Sequence, residues 1–184
     1  IDGMNIAMVG DLRHGRTVHS LSQLLVLYKD ITFTLISPKE LRMPEDIVSL
    51  LKDAEHTVIE TEDMESGLND NDTVYLTRIQ EERFTTKLEA NVYRGRFRLN
   101  KEIYTMNCQP NTVIMHPLPR DSREEANELD HDLNQHPNLA IFRQTDNGVL
   151  VRMALFALIL DVIDTVDETA KKVGWYTQSR FEGS

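Results

Sequence analysis

The stretch Asn5 to Ser20, NIAMVGDLRHGRTVHS, constrains the fold of this chain more than any other. Its apolar run Ile6 to Val9 stops at Gly10 and gives way to a charged loop closed by Gly15, after which apolar residues recur at Val18, Leu21, Leu24, Leu25 and Tyr28. A short apolar run followed by helical spacing reads as strand, tight loop and helix. Such a loop lies at the carboxyl end of a parallel strand, where open α/β sheets collect their ligands and where helix-start amides favour anions. Arg13, His14 and Arg16 either strengthen that preference or are solvated loop charges. The loop lacks both G-x-G-x-x-G spacing and a G-K-[ST] ending, so it carries no nucleotide signal.

The alternation continues along the chain. Thr32 to Ser37 read as a second strand, and Pro44 opens a helix carrying Ile47, Val48, Leu50 and Leu51. Thr57 to Glu60 predict a short strand, Asp63 to Leu68 a short helix, and Thr73 to Leu76 another strand after the turn-rich Asn69 to Asp72. From Thr77 the sequence is charged and weakly periodic, which predicts a long mobile loop and then a helix near Lys101 to Thr105. Thr112 to Met115 form a strand that exits into His116-Pro117-Leu118-Pro119-Arg120, where two prolines impose extended geometry. Asp121 to Asn138 are acidic and polar, Leu139 to Phe142 are expected to return as the last strand, and Asn147-Gly148 to mark a turn. Val149 to Ile163, apolar almost all round, are expected to form a helix buried against the sheet. Strands alternating with helices predict an α/β fold with a doubly wound, mostly parallel sheet and helices on both faces.

With 184 residues and 40% hydrophobic content, the chain suits one globular domain. A formal charge of -10, from 20 basic against 30 acidic residues, excludes general affinity for nucleic acid or for an anionic membrane, so an anionic ligand must be held by local charge. The single cysteine, Cys108, permits neither an intrachain disulfide nor a cysteine metal cluster and fits a reducing compartment. The longest apolar run, Met153 to Leu160, falls far short of the ~20 residues that cross a bilayer. These features predict a soluble, cytoplasmic protein. His131, Asp132 and His136 lie in a polar stretch read as solvated, so no metal site is expected and no cofactor is implied. The first residue stands one short step before a strand, as in a domain cut at a linker.

Three strand exits carry polar candidates: Arg16 after the first strand, Arg78 and Gln80 after Leu76, and His116 to Arg120 after Met115. A planar guanidinium suits a carboxylate, and two arginines suit a dicarboxylate. On local sequence Arg78 could instead pair with Glu81 or Glu82, and His116 could be a satisfied core histidine.

VGDLRHGRTVHS, YLTRIQEERF, MHPLPR and FRQTDNGVLVRMALFALIL, in this order and spacing, resemble the aspartate-binding domain of aspartate carbamoyltransferases from about Asn5 to Leu160. The resemblance implies that Arg16 binds the α-carboxylate of L-aspartate, that Arg78 with Gln80 binds its side-chain carboxylate, and that Leu118 and Pro119 serve carbamoyl phosphate, supported by His116 and Pro117. It implies direct attack of the aspartate amine on the carbamoyl carbon, without metal or covalent adduct, within a homotrimer. Pro117 stands where the related ornithine enzymes carry cysteine, which favours aspartate. The family's phosphate-binding domain is absent from these residues, so half of the site is expected from elsewhere. Residues 1–163 are thus read as the aspartate-binding domain and residues 164–184 as a tail. Asp121 to Glu125 interrupt the family's wording and read as an insertion. The competing reading is a ligand-sensing or assembly module that keeps the fold without turnover.

Overall fold

The computed structural model describes residues 1–84 and 91–169. The elements follow as β1 (Asn5–Val9), α1 (Arg16–Leu25), β2 (Thr32–Ile36), α2 (Glu45–Asp53), β3 (Thr57–Thr61), α3 (Met64–Gly67), β4 (Thr73–Leu76), α4 (Lys101–Asn107), β5 (Val113–Met115), α5 (Ile141–Ile159) and α6 (Val166–Thr169). The five strands form one sheet in the order β3-β2-β1-β4-β5, with every pair parallel. This is the doubly wound α/β architecture expected from the alternation of strands and helices.

Strand periodicity divides the core between two faces. Ile6 and Met8 point to one side, where they pack with Val18 and Leu25 of α1 and with Ile47, Val48 and Leu51 of α2. Ala7 and Val9 point to the other, against Met64 of α3, Tyr104 of α4, Leu129, Leu133 and Ile141. Successive side chains of a strand face opposite ways, so a strand apolar at every position must be covered on both sides. The helices are started by local chemistry. Asp63 accepts from the amides of Glu65 and Ser66 at α3 (3.1 and 3.3 Å), and Asn100 accepts from that of Ile103 at α4 (2.8 Å).

The register decides where the site lies. Val9 pairs with both Ile36 and Leu76, and Tyr75 pairs with Met115, so β1, β4 and β5 end almost level. Neighbouring strands stand about 4.8 Å apart, which puts the exits at Gly10, Thr77 and His116 side by side on one edge. The connection from β1 leads toward β2 and that from β4 toward β5, so their loops part and leave a crevice between them.

Several sequence expectations differ from the structure. Leu139 makes only an isolated parallel bridge to Ile114, and Ile141 already begins α5, so no sixth strand forms among the described residues. Asn147 and Gly148 lie inside α5 rather than in a turn. Each costs a helix interior about 1 kcal/mol or less, which its long apolar neighbours outweigh. The expected burial of Val149 to Ile163 is also not seen: Leu150 is 65% and Phe156 63% exposed. Apolarity all round a helix says that it needs a cover, not what supplies it. The chain divides into two compact units, Ile1–Gln144 and Thr145–Ser184, and this exposed helical segment belongs to the second. The polar composition of Asp121 to Asn138 conceals two fully buried leucines, Leu129 and Leu133, and a buried carboxylate, Glu128. The loop expected after Thr77 includes a short 3-10 turn at Glu81–Arg83, and its residues 85–90 lie outside the described residues, as does the tail from 170 onward. No helix of the described residues is long and apolar enough to cross a membrane.

Candidate functional site

At the end of β1 the chain must turn within contact of β4. Gly10 has φ +113°, and a Cβ placed there would lie 2.2 Å from the carbonyl oxygen of Thr77. Only glycine meets both demands. Asp11, next in sequence and fully buried, joins the two loops: its carboxylate accepts the amide of His14 (2.9 Å) and that of Gln80 (3.2 Å), with His14 Nδ1 at 3.1 Å. Gln80 completes the splice by donating its side-chain amide to the carbonyl of His14 at 2.8 Å. Sequence reasoning missed Asp11; the signal was a carboxylate placed directly after a buried strand, where it must find partners.

Gly15 closes the loop, and Arg16 is the first residue of α1, with no side-chain cap and no acidic residue in the first turn. Its guanidinium is exposed and makes no hydrogen bond or ion pair with any described residue. Arg78, two residues beyond β4, is held differently. Its guanidinium grips Glu82 through two bonds, of 3.1 and 2.5 Å, and the Glu82 carboxylate raises its pKa further above the ordinary arginine value. The local alternative, pairing with Glu82, is therefore realised in the structure. Glu82 occupies the fork that a ligand carboxylate would take.

The third exit is shaped by His116, buried at the end of β5. Its Nδ1 accepts the amide of Leu118 at 2.9 Å, which leaves the proton on Nε2, and Nε2 lies 2.7 Å from the buried Glu128 carboxylate. That contact is close in distance but not aligned as a hydrogen bond. His116 thus fastens the loop from inside. Leu118 has φ +59° and the Leu118–Pro119 peptide is cis.

Gly15, Arg16, Thr17, Thr77, Arg78, Gln80 and the four residues His116 to Pro119 line one open cleft of about 160 Å³. Arg16, Arg78, Gln80 and His116 to Pro119 meet there, whereas Arg13, His14 and Arg120 do not line it. The volume is well below the roughly 300 Å³ at which pockets for drug-sized molecules begin, so the cleft fits a small ligand. Two guanidinium groups with uncapped helix-start amides favour a ligand with two negative charges. Arg13, by contrast, lines a separate cavity with Glu40, Arg83 and Tyr93. Among the described residues no three His, Cys, Asp or Glu side chains come together as metal ligands would.

Beside the cleft, Glu81 is held by Arg94 (2.7 and 2.8 Å) and Arg123 (2.8 and 3.2 Å), and these guanidinium groups pull its pKa from 4.5 to about 2. A carboxyl group depressed in the folded state adds stability above its unfolded pKa and loses it as pH falls through the folded value. The stability difference between the parent and Glu81→Gln is expected to be full above pH 4.5 and to vanish on descending to about 2. Urea midpoints measured from pH 2 to 6 check this; a difference independent of pH would contradict it.

Comparison with known proteins places the fold and the site in one context. Residues 2–159 match the family described as the Asp/Orn binding domain of aspartate/ornithine carbamoyltransferases. The chain is 63% identical to the aspartate carbamoyltransferase catalytic subunit of Saccharophagus degradans over 98% of its own length and 54% of that protein's. Among solved structures it resembles the M. jannaschii aspartate transcarbamoylase catalytic subunit (TM-score 0.76, 40% identity, 87% of this chain and 50% of that one). It also resembles the Trypanosoma cruzi aspartate transcarbamoylase in complex with N-(phosphonacetyl)-L-aspartic acid (TM-score 0.73, 31% identity, 84% of this chain and 49% of that one). The chain spans about half the length of the curated relatives it matches. By fold, motif order and sequence, it belongs to the aspartate/ornithine carbamoyltransferase family, whose amino-acid-binding domain it represents.

Proposed function

We propose that this chain is the aspartate-binding half of an aspartate carbamoyltransferase, an enzyme that forms N-carbamoyl-L-aspartate and phosphate from carbamoyl phosphate and L-aspartate at the start of pyrimidine synthesis. The observation that carries the reading is the meeting of Arg16 and Arg78 with the HPLP backbone in one small cleft. Arg16, free of partners among the described residues, takes the α-carboxylate. Arg78 exchanges Glu82 for the side-chain carboxylate, and Gln80, pinned to the first loop, fixes the distance between the two grips. Backbone carbonyls at Leu118 and Pro119 accept hydrogen bonds from the carbamoyl NH₂ and the aspartate amine, which turns the amine toward its target.

The amine nitrogen adds to the carbamoyl carbon, the bond from that carbon to the phosphate oxygen breaks, phosphate leaves with the electron pair, and the nitrogen gives up a proton. No residue of this chain is assigned to covalent catalysis; its share is positioning and charge neutralisation, and no cofactor is needed. Residues 1–163 form the aspartate domain, with the carbamoyl-phosphate domain outside this chain, and the complete enzyme works as a cytoplasmic homotrimer. The name of the family covers ornithine as well, and Pro117, where ornithine enzymes carry cysteine, favours aspartate.

The test compares two proteins. The complete polypeptide is expected to form N-carbamoyl-aspartate, and the 184-residue chain alone is expected to form none, because it carries no phosphate clamp. Turnover by the isolated chain would overturn this division of labour. Aspartate binding by a complete polypeptide that makes no product would favour the sensing module.

A further inference from the structure

The stretch Asp121 to Glu125, which interrupts the family's wording, follows the HPLPR exit and reaches Glu81 in the loop after β4. Arg123 within it spreads one guanidinium over two carboxylates. It meets Glu81 through both terminal nitrogens (3.2 and 2.8 Å) and Asp121 through Nε and one terminal nitrogen (3.0 and 2.5 Å). Glu81 is bonded in sequence to Gln80, so this grip acts on the loop that carries Arg78. On the other side, the amide of Asp121 donates to both oxygens of Glu128 (3.3 Å each), Glu128 meets His116, and His116 holds the amide of Leu118. Contacts therefore run without a gap from Gln80 to Leu118, and within this path Arg123 is the side chain that crosses from the insertion to Glu81.

Resting on the function proposed above, we propose that Arg123 is a positioning residue that couples the aspartate-gripping loop to the HPLP exit, so that the insertion sets the spacing of the two substrates. The bland alternative is a surface ion pair of negligible effect, the usual outcome for exposed charges. Geometry argues against it. Arg123 is 42% exposed, but its acceptors Glu81 and Asp121 are only 19% and 12% exposed, and Glu81 lies 42 residues away in sequence. Paired bonds within a network are the circumstance in which ion pairs do matter. Arg123 does not line the cleft, and its effect passes through the loops it joins.

The experiment uses the complete polypeptide. Arg123→Ala is expected to raise KM for aspartate about tenfold while kcat falls less than about threefold, the signature of lost ground-state positioning. Arg123→Lys should recover little, because an ammonium cannot bridge two carboxylates in a fork. Arg123→Ala and Glu81→Gln should be strongly non-additive in KM, as members of one network are. The urea midpoint of each variant shows that it folds. Unchanged KM for aspartate in a folded Arg123→Ala variant, or additive effects in the double variant, would overturn the proposal. An inactive parent would instead sink the proposed function. Amide hydrogen exchange over residues 78–84 then decides the coupling by itself: faster exchange in Arg123→Ala supports it, and unchanged exchange refutes it.

Discussion

Replacing Arg78 by alanine in the complete polypeptide is expected to lower kcat/KM for aspartate by roughly a hundred- to ten-thousand-fold, with KM for carbamoyl phosphate nearly unchanged. Each charge-assisted bond to a carboxylate is worth about 1.5 to 3 kcal/mol, so losing two costs about 3 to 6 kcal/mol. That energy converts to the stated loss in specificity for the amino acid. The structure adds a control. The partner Arg78 leaves behind, Glu82, is 53% exposed and returns to water at little cost, so the variant should unfold at nearly the parent's urea midpoint. Steady-state kinetics with aspartate and asparagine at saturating carbamoyl phosphate check the assignment. Asparagine lacks the negative charge that Arg78 is built to hold, so the parent should strongly prefer aspartate and the variant should not. A variant that keeps the parent's preference would remove Arg78 from the site.

The largest effect on folding is expected from Gly10→Ala. The added methyl group would stand 2.2 Å from the carbonyl oxygen of Thr77 and 2.9 Å from its hydroxyl, on a residue with φ +113°. The obstacle is main chain at the end of β4, which cannot swing aside as a flexible side chain would. A backbone angle unfavourable to any L side chain costs about 1 to 3 kcal/mol, and overpacking a closed interior costs a similar amount. Together they predict a loss of about 2 to 6 kcal/mol in urea unfolding, a large part of a single domain's stability. Because Thr77 precedes Arg78, whatever fraction remains folded should also bind aspartate weakly. A loss below about 1 kcal/mol would mean that β1 and β4 can separate at no cost, contrary to the tight register between them.

The parts of this molecule that were legible in its sequence are those encoded by neighbours. The switch from strand to helical spacing across Gly10 to Gly15 announced β1 and α1, and the same reasoning located β2 to β5 and the edge on which their exits meet. The failures have a common cause. Leu139 to Phe142 is too short an apolar run for periodicity to separate strand from helix, and Asn147-Gly148 carries a turn signal that a long helix overrides. Asp11 reaches Gln80 across 69 residues, and Glu128 is buried because His116 and the amide of Asp121 meet it. Nothing beside either carboxylate in sequence reveals these distant partners. Glu82 was visible only as one of two candidate partners for Arg78. The roles of Arg16 and Arg78 came from motif wording; the spacing alone left them as possible surface charges.

The strand order has a bearing on how the sheet assembles. β1, the earliest of the five strands, lies at the centre, and each later strand joins an edge that already exists: β2 beside β1, β3 beside β2, β4 on the free side of β1, and β5 beside β4. No strand has to be inserted between two that have already paired. The sheet can therefore grow in the direction of synthesis without breaking hydrogen bonds made earlier. A nascent chain that has emerged only through β3 holds a three-stranded sheet with one flank of β1 bare, an edge able to recruit a foreign strand. Translation must run 67 residues past Asn5 before Asp72 can bond to its amide and the bare flank begins to close. A ribosome that stalls within this interval would hold the chain at its most aggregation-prone stage, before any of the crevice exists.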